Sequence, residues 1–184
     1  MKQDKTFTIA VYGASNGTIA PTYMEAAREL GRLIGERGWC CVNGGGRTGI
    51  MGNVSDGTLD AGGRVVGVIP KFMVDKGWLY ERLTEVIITA DMHQRKATML
   101  DMSDAFVVMP GGIGTLEELF EVVTWRQLAL HDKPIVLLNV NGFFDPLLEQ
   151  LAKSGREGFM RDNADVPLWQ VASTPDEAMA LINC

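Results

Sequence analysis

Cysteine is scarce in this 184-residue sequence, and no hydrophobic run reaches the length of a membrane span. The three cysteines are the neighbours Cys40 and Cys41 and the distant Cys184, which is not the even, spaced set of a disulfide framework. We therefore expect buried or idle thiols, as in a protein of a reducing compartment. The N-terminal stretch MKQDKTFT is charged and polar, so no signal segment is predicted and we expect a soluble cytoplasmic protein.

Positive charge is in deficit, because 17 Lys and Arg residues stand against 23 Asp and Glu residues and the net charge is −6. Nucleic acid requires a basic face, so we predict neither a nucleic-acid partner nor, without an apolar segment, a membrane partner. A small anionic ligand is still compatible, because a few arginines in one cleft outweigh the overall charge. The two histidines, His93 and His131, stand alone without metal-ligand spacing, so no metal site is predicted.

Short apolar runs and amphipathic stretches, by contrast, alternate along the whole chain, which is 46% hydrophobic and 22% charged. Strands are predicted at residues 7–12, 39–42, 64–69, 85–90, 105–109, 134–140 and near 169–171. Helices are predicted at 22–37, from 52 to about 62, at 91–103, from 115 onward, at 145–153 and from 174. This alternation predicts one α/β, Rossmann-like, doubly wound domain over residues 1–184, with a mostly parallel sheet and helices on both faces. Residues 71–83 have no clean period and are predicted to form a loop or lid.

Three loops rich in small residues leave the ends of predicted strands, at residues 13–15, 44–52 and 110–115. In a parallel sheet such loops lie along one edge, and ligands bind in the crevice beyond the carboxyl ends of the strands. Three glycine-rich loops on one edge are more than chain reversal requires. We therefore predict a ligand of nucleotide size at this edge.

The stretch from residue 105 to residue 121 is the centre of this arrangement. A buried strand is followed by Pro110 and three glycines, and Thr115 is predicted to cap the next helix. Free backbone amides at a helix N-terminus suit a phosphate group. Glu117 and Glu118 are predicted in the first turn of that helix, so an anionic ligand would meet amides and a carboxylate together.

Three motifs in this chain resemble those of one known family. They are G-G-G-x-x-G-x-M-G at residues 44–52, M-H-x-R-K at 92–96 and P-G-G-x-G-T-x-x-E at 110–118. In order and spacing they resemble the Lonely Guy family, often labelled lysine decarboxylase-like, whose characterised members are cytokinin riboside 5′-monophosphate phosphoribohydrolases. The resemblance implies a homodimer that needs no cofactor and hydrolyses the N-glycosidic bond of an adenosine 5′-monophosphate, releasing free base and ribose 5-phosphate.

The resemblance also implies the roles of particular residues. By motif, Arg95 and Glu118 correspond to the catalytic pair, and the phosphate would lie on the amides around Gly112, Gly114 and Thr115. Glycosidic cleavage builds positive charge on the ribose, which a carboxylate such as Glu118 would stabilise. The residues expected to bind substrate are Gly13, Ser15, Gly45, Gly46, Met92, Lys96, Gly111, Gly112, Gly114 and Thr115.

Each of these assignments has a plainer structural alternative. Glu118 could be a helix acid that interacts with the macrodipole, and Glu117 is interpreted as an exposed acid beside it. Arg95 and Lys96 could solvate a helix face. The methionines are expected to fill the core.

Ile113 stands where many plant-type members have tyrosine, which leaves the preference for the base and its N6-substituent open.

Two other classes of function stay open at the level of the sequence. Molybdenum-cofactor carriers share the predicted architecture, and such a carrier would bind its ligand without cleaving it. Amino-acid decarboxylation, the older label, ordinarily requires pyridoxal phosphate on a Schiff-base lysine. The lysines considered for that role are Lys71, Lys76, Lys96, Lys133 and Lys153.

Overall fold

The computed structural model describes residues 6–160 and 167–182, which form one seven-stranded sheet with helices on both faces. The strands are β1 (Thr8–Tyr12), β2 (Cys40–Asn43), β3 (Arg64–Pro70), β4 (Glu85–Thr89), β5 (Ala105–Val108), β6 (Ile135–Leu138) and β7 (Gln170–Ala172). All neighbouring strands are parallel, and their order is β4-β3-β2-β1-β5-β6-β7. The predicted α/β doubly wound fold is confirmed, and the sheet is parallel throughout.

Across the described residues, six α-helices connect these strands and a seventh follows β7. They are α1 (Pro21–Glu36), α2 (Gly49–Asp60), α3 (Lys71–Asp75), α4 (Met92–Met102), α5 (Ile113–Gln127), α6 (Asp145–Arg156) and α7 (Pro175–Ile182). Local chemistry explains the start of α7, where Thr174 Oγ1 accepts a bond from the Glu177 amide at 3.2 Å. The Glu177 carboxylate accepts in turn from the amide of Ser173, one residue before the cap, at 2.7 Å, which is a variant of the capping box.

Alternation along the central strands divides the core into two layers. Ile9 and Val11 pack with α1, α2 and α7, whereas Ala10 and Tyr12 face the opposite layer, which α4, α5 and α6 cover. A strand buried on both faces is the expected form in a parallel sheet. The switch in strand order lies between β1 and β5, and in such sheets the crevice for a ligand opens at that switch.

Helices α1 and α2 approach so closely that glycine is required at their contact. A Cβ atom at Gly57 would overlap the carbonyl oxygen of Arg28, and one at Gly31 would overlap that of Val54. The sequence pattern contains both glycines but did not predict the contact, because it depends on how two helices pack.

Two predicted helix starts are wrong. Helix α5 begins at Ile113, not after a Thr115 cap, because Gly112 is already the N-cap residue, with extended backbone angles. Thr115 is therefore buried in the first turn, and the two acids predicted there, Glu117 and Glu118, lie in the second turn. Likewise, α2 begins at Gly49, inside the segment predicted as a glycine loop.

Cys40 and Cys41 are buried free thiols, and burial raises the pKa of both. The prediction for Cys184 falls outside the described residues, as does that for residues 1–5 of the N-terminal stretch. Within the described ranges, no helix is long and apolar enough to cross a bilayer.

Candidate active site

A cleft of about 460 Å³ opens at the carboxyl edge of the sheet, above the ends of β1 and β5. All three predicted loops contribute to its walls, together with α4 and the segment after β3. This volume lies in the range of small-molecule sites. The predicted convergence of the loops on one edge is therefore what the structure shows.

Hydrogen bonds join the three loops to one another. The Ala14 amide donates to the Pro110 carbonyl at 3.1 Å, and the Ile50 amide donates to the Ala14 carbonyl at 2.8 Å. Thr48 Oγ1 donates to the Ser15 carbonyl at 2.5 Å. The loop after β1 therefore bonds to both of the other loops, which couples the positions of all three walls.

Two residues explain why the loop after β2 folds as it does. Gly49 has a φ of +64°, and a Cβ there would lie 2.6 Å from the Ala14 carbonyl oxygen, so only glycine fits. Asn43, which the sequence reasoning missed, is fully buried. Its Oδ1 accepts from the Gly45 amide and its Nδ2 donates to Ser55 Oγ, both at 2.8 Å.

Arg95 and Glu118 form a buried ion pair in the cleft wall. Arg95 Nη2 lies 3.1 Å from Glu118 Oε1, and their side chains are 8% and 9% exposed. Arg95 Nε also donates to the Val68 carbonyl at 3.0 Å. A Cβ at Gly44 would overlap Nη2 of Arg95, so this glycine makes room for the guanidinium. The burial excludes the alternative in which Arg95 solvates a helix face.

The environment of Glu118 places its ionisation close to neutral pH. Burial raises the pKa of this carboxyl from 4.5 to about 7, although the Arg95 charge acts against that rise. The neighbouring acids Glu117 and Glu121 raise it further, and Lys96 lowers it. A carboxyl with such a pKa is populated in both forms near neutrality and can take or give a proton.

Lys96 points away from the cleft. Its side chain is 7% exposed, and its Nζ donates to Glu117 and, at 2.6 Å, to Glu121 Oε2. Burial opposes the charge of Lys96, but the two carboxylates outweigh burial and its pKa is raised. Glu117 is exposed, as predicted, yet it is one partner of this bridge rather than an isolated acid.

The residues predicted to bind substrate fall into two groups. Seven line the cleft: Gly13, Ser15, Gly46, Met92, Gly112, Gly114 and Thr115. Gly45, Lys96 and Gly111 do not. Gly45 backs onto Gly67 and Ile69, and the open side of Gly111 is filled by the side chain of Thr115. These three residues contact other parts of the protein, and their contact with substrate stays a prediction.

The sequence reasoning missed most of the apolar wall. It consists of Met51, Ile69, Met73, Trp78 and Met92. Met99 and Met109 fill the core, as predicted for the methionines in general. The three methionines of the wall line the cleft instead. One sequence feature could have indicated this wall. Residues 71–83 follow a strand directly, are apolar and aromatic in part, and have neither helix nor strand period.

The predicted loop or lid at residues 71–83 is tied to the protein at several points. It begins with the short helix α3, and Leu79 then pairs with Gly46 in an isolated antiparallel bridge. Tyr80 Oη donates to Asp56 Oδ1 at 2.6 Å, and Arg82 Nη2 donates to Asp60 at 2.9 Å. These bonds hold Trp78 and the rest of the segment beside the cleft.

Comparison with known proteins identifies the family. A profile described as "Possible lysine decarboxylase" matches residues 51–182. The Arabidopsis thaliana protein named cytokinin riboside 5′-monophosphate phosphoribohydrolase LOG4 is 46% identical over 164 residues, covering 89% of this chain and 76% of that protein. The Oryza sativa protein named cytokinin riboside 5′-monophosphate phosphoribohydrolase LOG is 48% identical over 157 residues. The match covers 85% of this chain and 64% of that protein. The chain belongs to the Lonely Guy family.

Solved structures share the fold at lower identity. A molybdenum cofactor binding protein from Rippkaea orientalis superposes with a TM-score of 0.73 at 25% identity, covering 97% of this chain and 96% of that one. A molybdenum cofactor carrier protein from Chlamydomonas reinhardtii gives 0.74 at 25% identity, with the same coverage. The Lonely Guy chain therefore has the architecture of these carriers but is closer in sequence to the plant proteins.

Proposed function

We propose that this protein hydrolyses the N-glycosidic bond of an N6-substituted or plain adenosine 5′-monophosphate, releasing the free base and ribose 5-phosphate. The observation that carries this proposal is the buried Arg95–Glu118 pair in a cleft walled by three glycine loops. The relatives named as phosphoribohydrolases, at 46% and 48% identity, support the same activity.

The N-terminus of α5 is the proposed phosphate site. Its first amides have no partner within the helix, and the helix dipole favours negative charge there. Gly112, Gly114 and Thr115 line the cleft at this point, and Arg47 adds a positive side chain across it. A ribose bound by its 5′-phosphate here has the Arg95–Glu118 pair within the same cleft.

Glu118 is the proposed general base, and it is also the proposed electrostatic stabiliser of the transition state. As the C1′–N9 bond breaks, positive charge grows on the ribose, and the carboxylate stabilises it. The same carboxylate takes a proton from the water whose oxygen bonds to C1′. That proton then passes to the departing nucleobase, which regenerates the carboxylate and balances the hydrolysis. Arg95 holds Glu118 in place and favours its ionised form, because its guanidinium is always charged.

The apolar wall is the proposed site of the base. Met73, Trp78 and Ile69 lie on the side of the cleft supplied by β3 and the segment after it. An indole ring stacks well on a purine, and methionines adapt to an apolar substituent. This composition favours a base whose N6-substituent is apolar.

The assembly and setting of the enzyme are also proposed. We expect one domain over residues 1–184, a cytoplasmic location, no metal or cofactor, and a homodimer. The outer side of α5 supports the dimer, because Ile113 and Phe120 are exposed on it and Leu128 is exposed directly after its last residue. Light scattering on the purified protein measures this state directly.

The decisive experiment incubates the purified protein with AMP and, separately, with isopentenyladenosine monophosphate, and follows the products by chromatography. We expect free base and ribose 5-phosphate, with a loss of at least about 100-fold in turnover for Glu118→Gln and for Arg95→Ala. Glu118→Gln should keep the fold and nucleotide binding, which a thermal melt and a binding isotherm check. Full activity in either variant would contradict the assignment.

Two alternatives give different outcomes in the same assay. A carrier, as the solved neighbours are named, would bind a ligand and return it intact. A pyridoxal-dependent decarboxylase would show an internal aldimine absorbance. Against the latter, none of the five lysines considered lines the cleft formed by the described residues.

A further inference from the structure

Lys96 is the charged residue of the M-H-x-R-K motif to which the proposed function gives no role. Its ammonium is buried at the contact between α4 and α5, outside the cleft wall, where it bonds both Glu117 and Glu121. Lysine is almost never buried unless it is paired, and removing one partner of a buried pair is costly. The double bridge is therefore a specific structural feature that the motif encodes.

Two charge contacts lie side by side between these helices. Arg95 and Lys96 are consecutive on α4 and point about 100° apart around the helix. Arg95 meets Glu118 in the cleft, and Lys96 meets the acids one position before and three positions after Glu118. Glu117 and Glu121 are one helical turn apart, so a single ammonium between them resists both sliding and rotation of α5.

The three charges of this bridge also act on the pKa of Glu118. The ionisable groups that face this carboxyl are Arg95 and Lys96 from α4, Glu117 and Glu121 from α5, and the Tyr12 hydroxyl from β1. Lys96 offsets one of the two neighbouring carboxylates. Without it, only the Arg95 charge would oppose the two carboxylates, and the pKa of Glu118 would rise further.

We propose that Lys96 is a positioning residue: its double bridge holds α5 against α4 so that Glu118 faces Arg95, and its charge keeps Glu118 available as a carboxylate. The effect of Lys96 on turnover rests on the proposed function. Its effect on the ionisation of Glu118 does not, so the two ideas can fail separately.

The test is a ¹³C NMR titration of protein labelled at the glutamate carboxyl carbon, with the Glu118 signal assigned by its loss in Glu118→Gln. We expect Lys96→Met to raise the Glu118 midpoint by about one pH unit and Lys96→Arg to leave it near the wild-type value. Glu117→Gln should move the midpoint in the opposite direction, because one negative neighbour is gone. Loosened packing alone would not produce shifts of opposite sign.

Lys153→Met is the matched control, because it removes a lysine from the exposed pair with Glu157 on α6. It should leave the Glu118 midpoint unchanged. If Lys96→Met does not fold, the triple variant Lys96→Met, Glu117→Gln, Glu121→Gln removes all three charges. Its midpoint should lie at or below the wild-type value. An unchanged midpoint in the foldable Lys96 and Glu117 variants would overturn the proposal.

Turnover gives the second readout. Lys96→Met should lower kcat at pH 7 about fivefold through ionisation alone, with the acid limb of the pH profile moving by the same amount as the NMR midpoint. Lys96→Arg should leave both kcat at pH 7 and the acid limb near their wild-type values. If the wild-type protein cleaves no nucleotide, the proposed function fails while the titration still decides the role of Lys96.

Discussion

At the scale of single residues, the cleft contains one carboxyl whose pKa burial raises close to neutrality, and the proposed reaction depends on this group. Glu118 is buried against Arg95, and its burial works against the guanidinium charge. An exposed glutamate at the same helix position would be ionised at any physiological pH. The cleft therefore contains a group that can exchange a proton during the reaction.

The raised pKa of Glu118 predicts the pH dependence of the reaction. In the proposed mechanism the carboxylate form stabilises the ribose cation and accepts a proton, so kcat should rise with pH through a midpoint of about 7. An unperturbed glutamate would instead place that limb near 4.5. Steady-state rates measured across this range locate the limb, and a flat profile between these two values would contradict the role of Glu118 as base.

A single methyl group tests the phosphate site. A Cβ at Gly114 meets no atom within 4 Å, so Gly114→Ala should fold and should gain about 0.5–1 kcal/mol from helix propensity. The methyl would project where the phosphate is proposed to lie, so we expect KM for AMP to rise at least about tenfold. Gly155→Ala, at an equally open helix position outside the cleft, is the control for stability and binding. An unchanged KM would place the phosphate elsewhere.

At the scale of elements, the segment after β3 lines the side of the cleft where the nucleobase is proposed to bind. Trp78→Ala should raise KM for isopentenyladenosine monophosphate about tenfold and more than for AMP, because a stacking ring is lost. Trp78→Phe should retain most of the preference. Phe72→Ala, which removes a half-exposed ring of the same segment outside the cleft, serves as the matched control. Equal effects of the Trp78 and Phe72 variants would argue against the assigned base site.

The contact of α1 with α2 makes a prediction about stability. Gly57→Ala would drive its new methyl into the Arg28 carbonyl, which is backbone and cannot turn aside. We expect the free energy of unfolding to fall by about 1–3 kcal/mol, measured by urea denaturation. Gly155→Ala provides the comparison, since its added methyl meets open space. Equal stabilities for the two variants would mean that the helices separate without cost.

The first residues of α5 and α2 show why local sequence patterns do not predict where a helix begins. Thr115 has the residue type of an N-cap, yet Gly112 takes that position because the loop from β5 is already extended there. Gly49 begins a helix at a positive φ because the Ala14 carbonyl faces it from another loop. In both cases a neighbour distant in sequence, or the path of the chain, decides where the helix begins.

At the scale of the whole molecule, the strand order creates the site. Strands run from β1 to β4 in one direction and from β5 to β7 in the other, so the loops after β1 and β5 meet at the centre. The amides of α5, the loop after β2 and the charged face of α4 then surround one cleft. A parallel sheet makes this arrangement general, since all its loops of this type leave from one edge.

Sequence patterns alone predicted the alternation of strands and helices, the three glycine loops and the motifs that contain Arg95 and Glu118. The strands, helices and loops follow from hydrophobic period and turn chemistry, which act between residues close together in the chain. Arg95 and Glu118 were indicated instead by the resemblance of their motifs to one family. The folded protein was needed to see that Lys96 bonds Glu117 and Glu121 outside the cleft and that Trp78 lines the cleft. Burial, pairing of charges and the meeting of loops arise from contacts between distant residues, which no local pattern specifies.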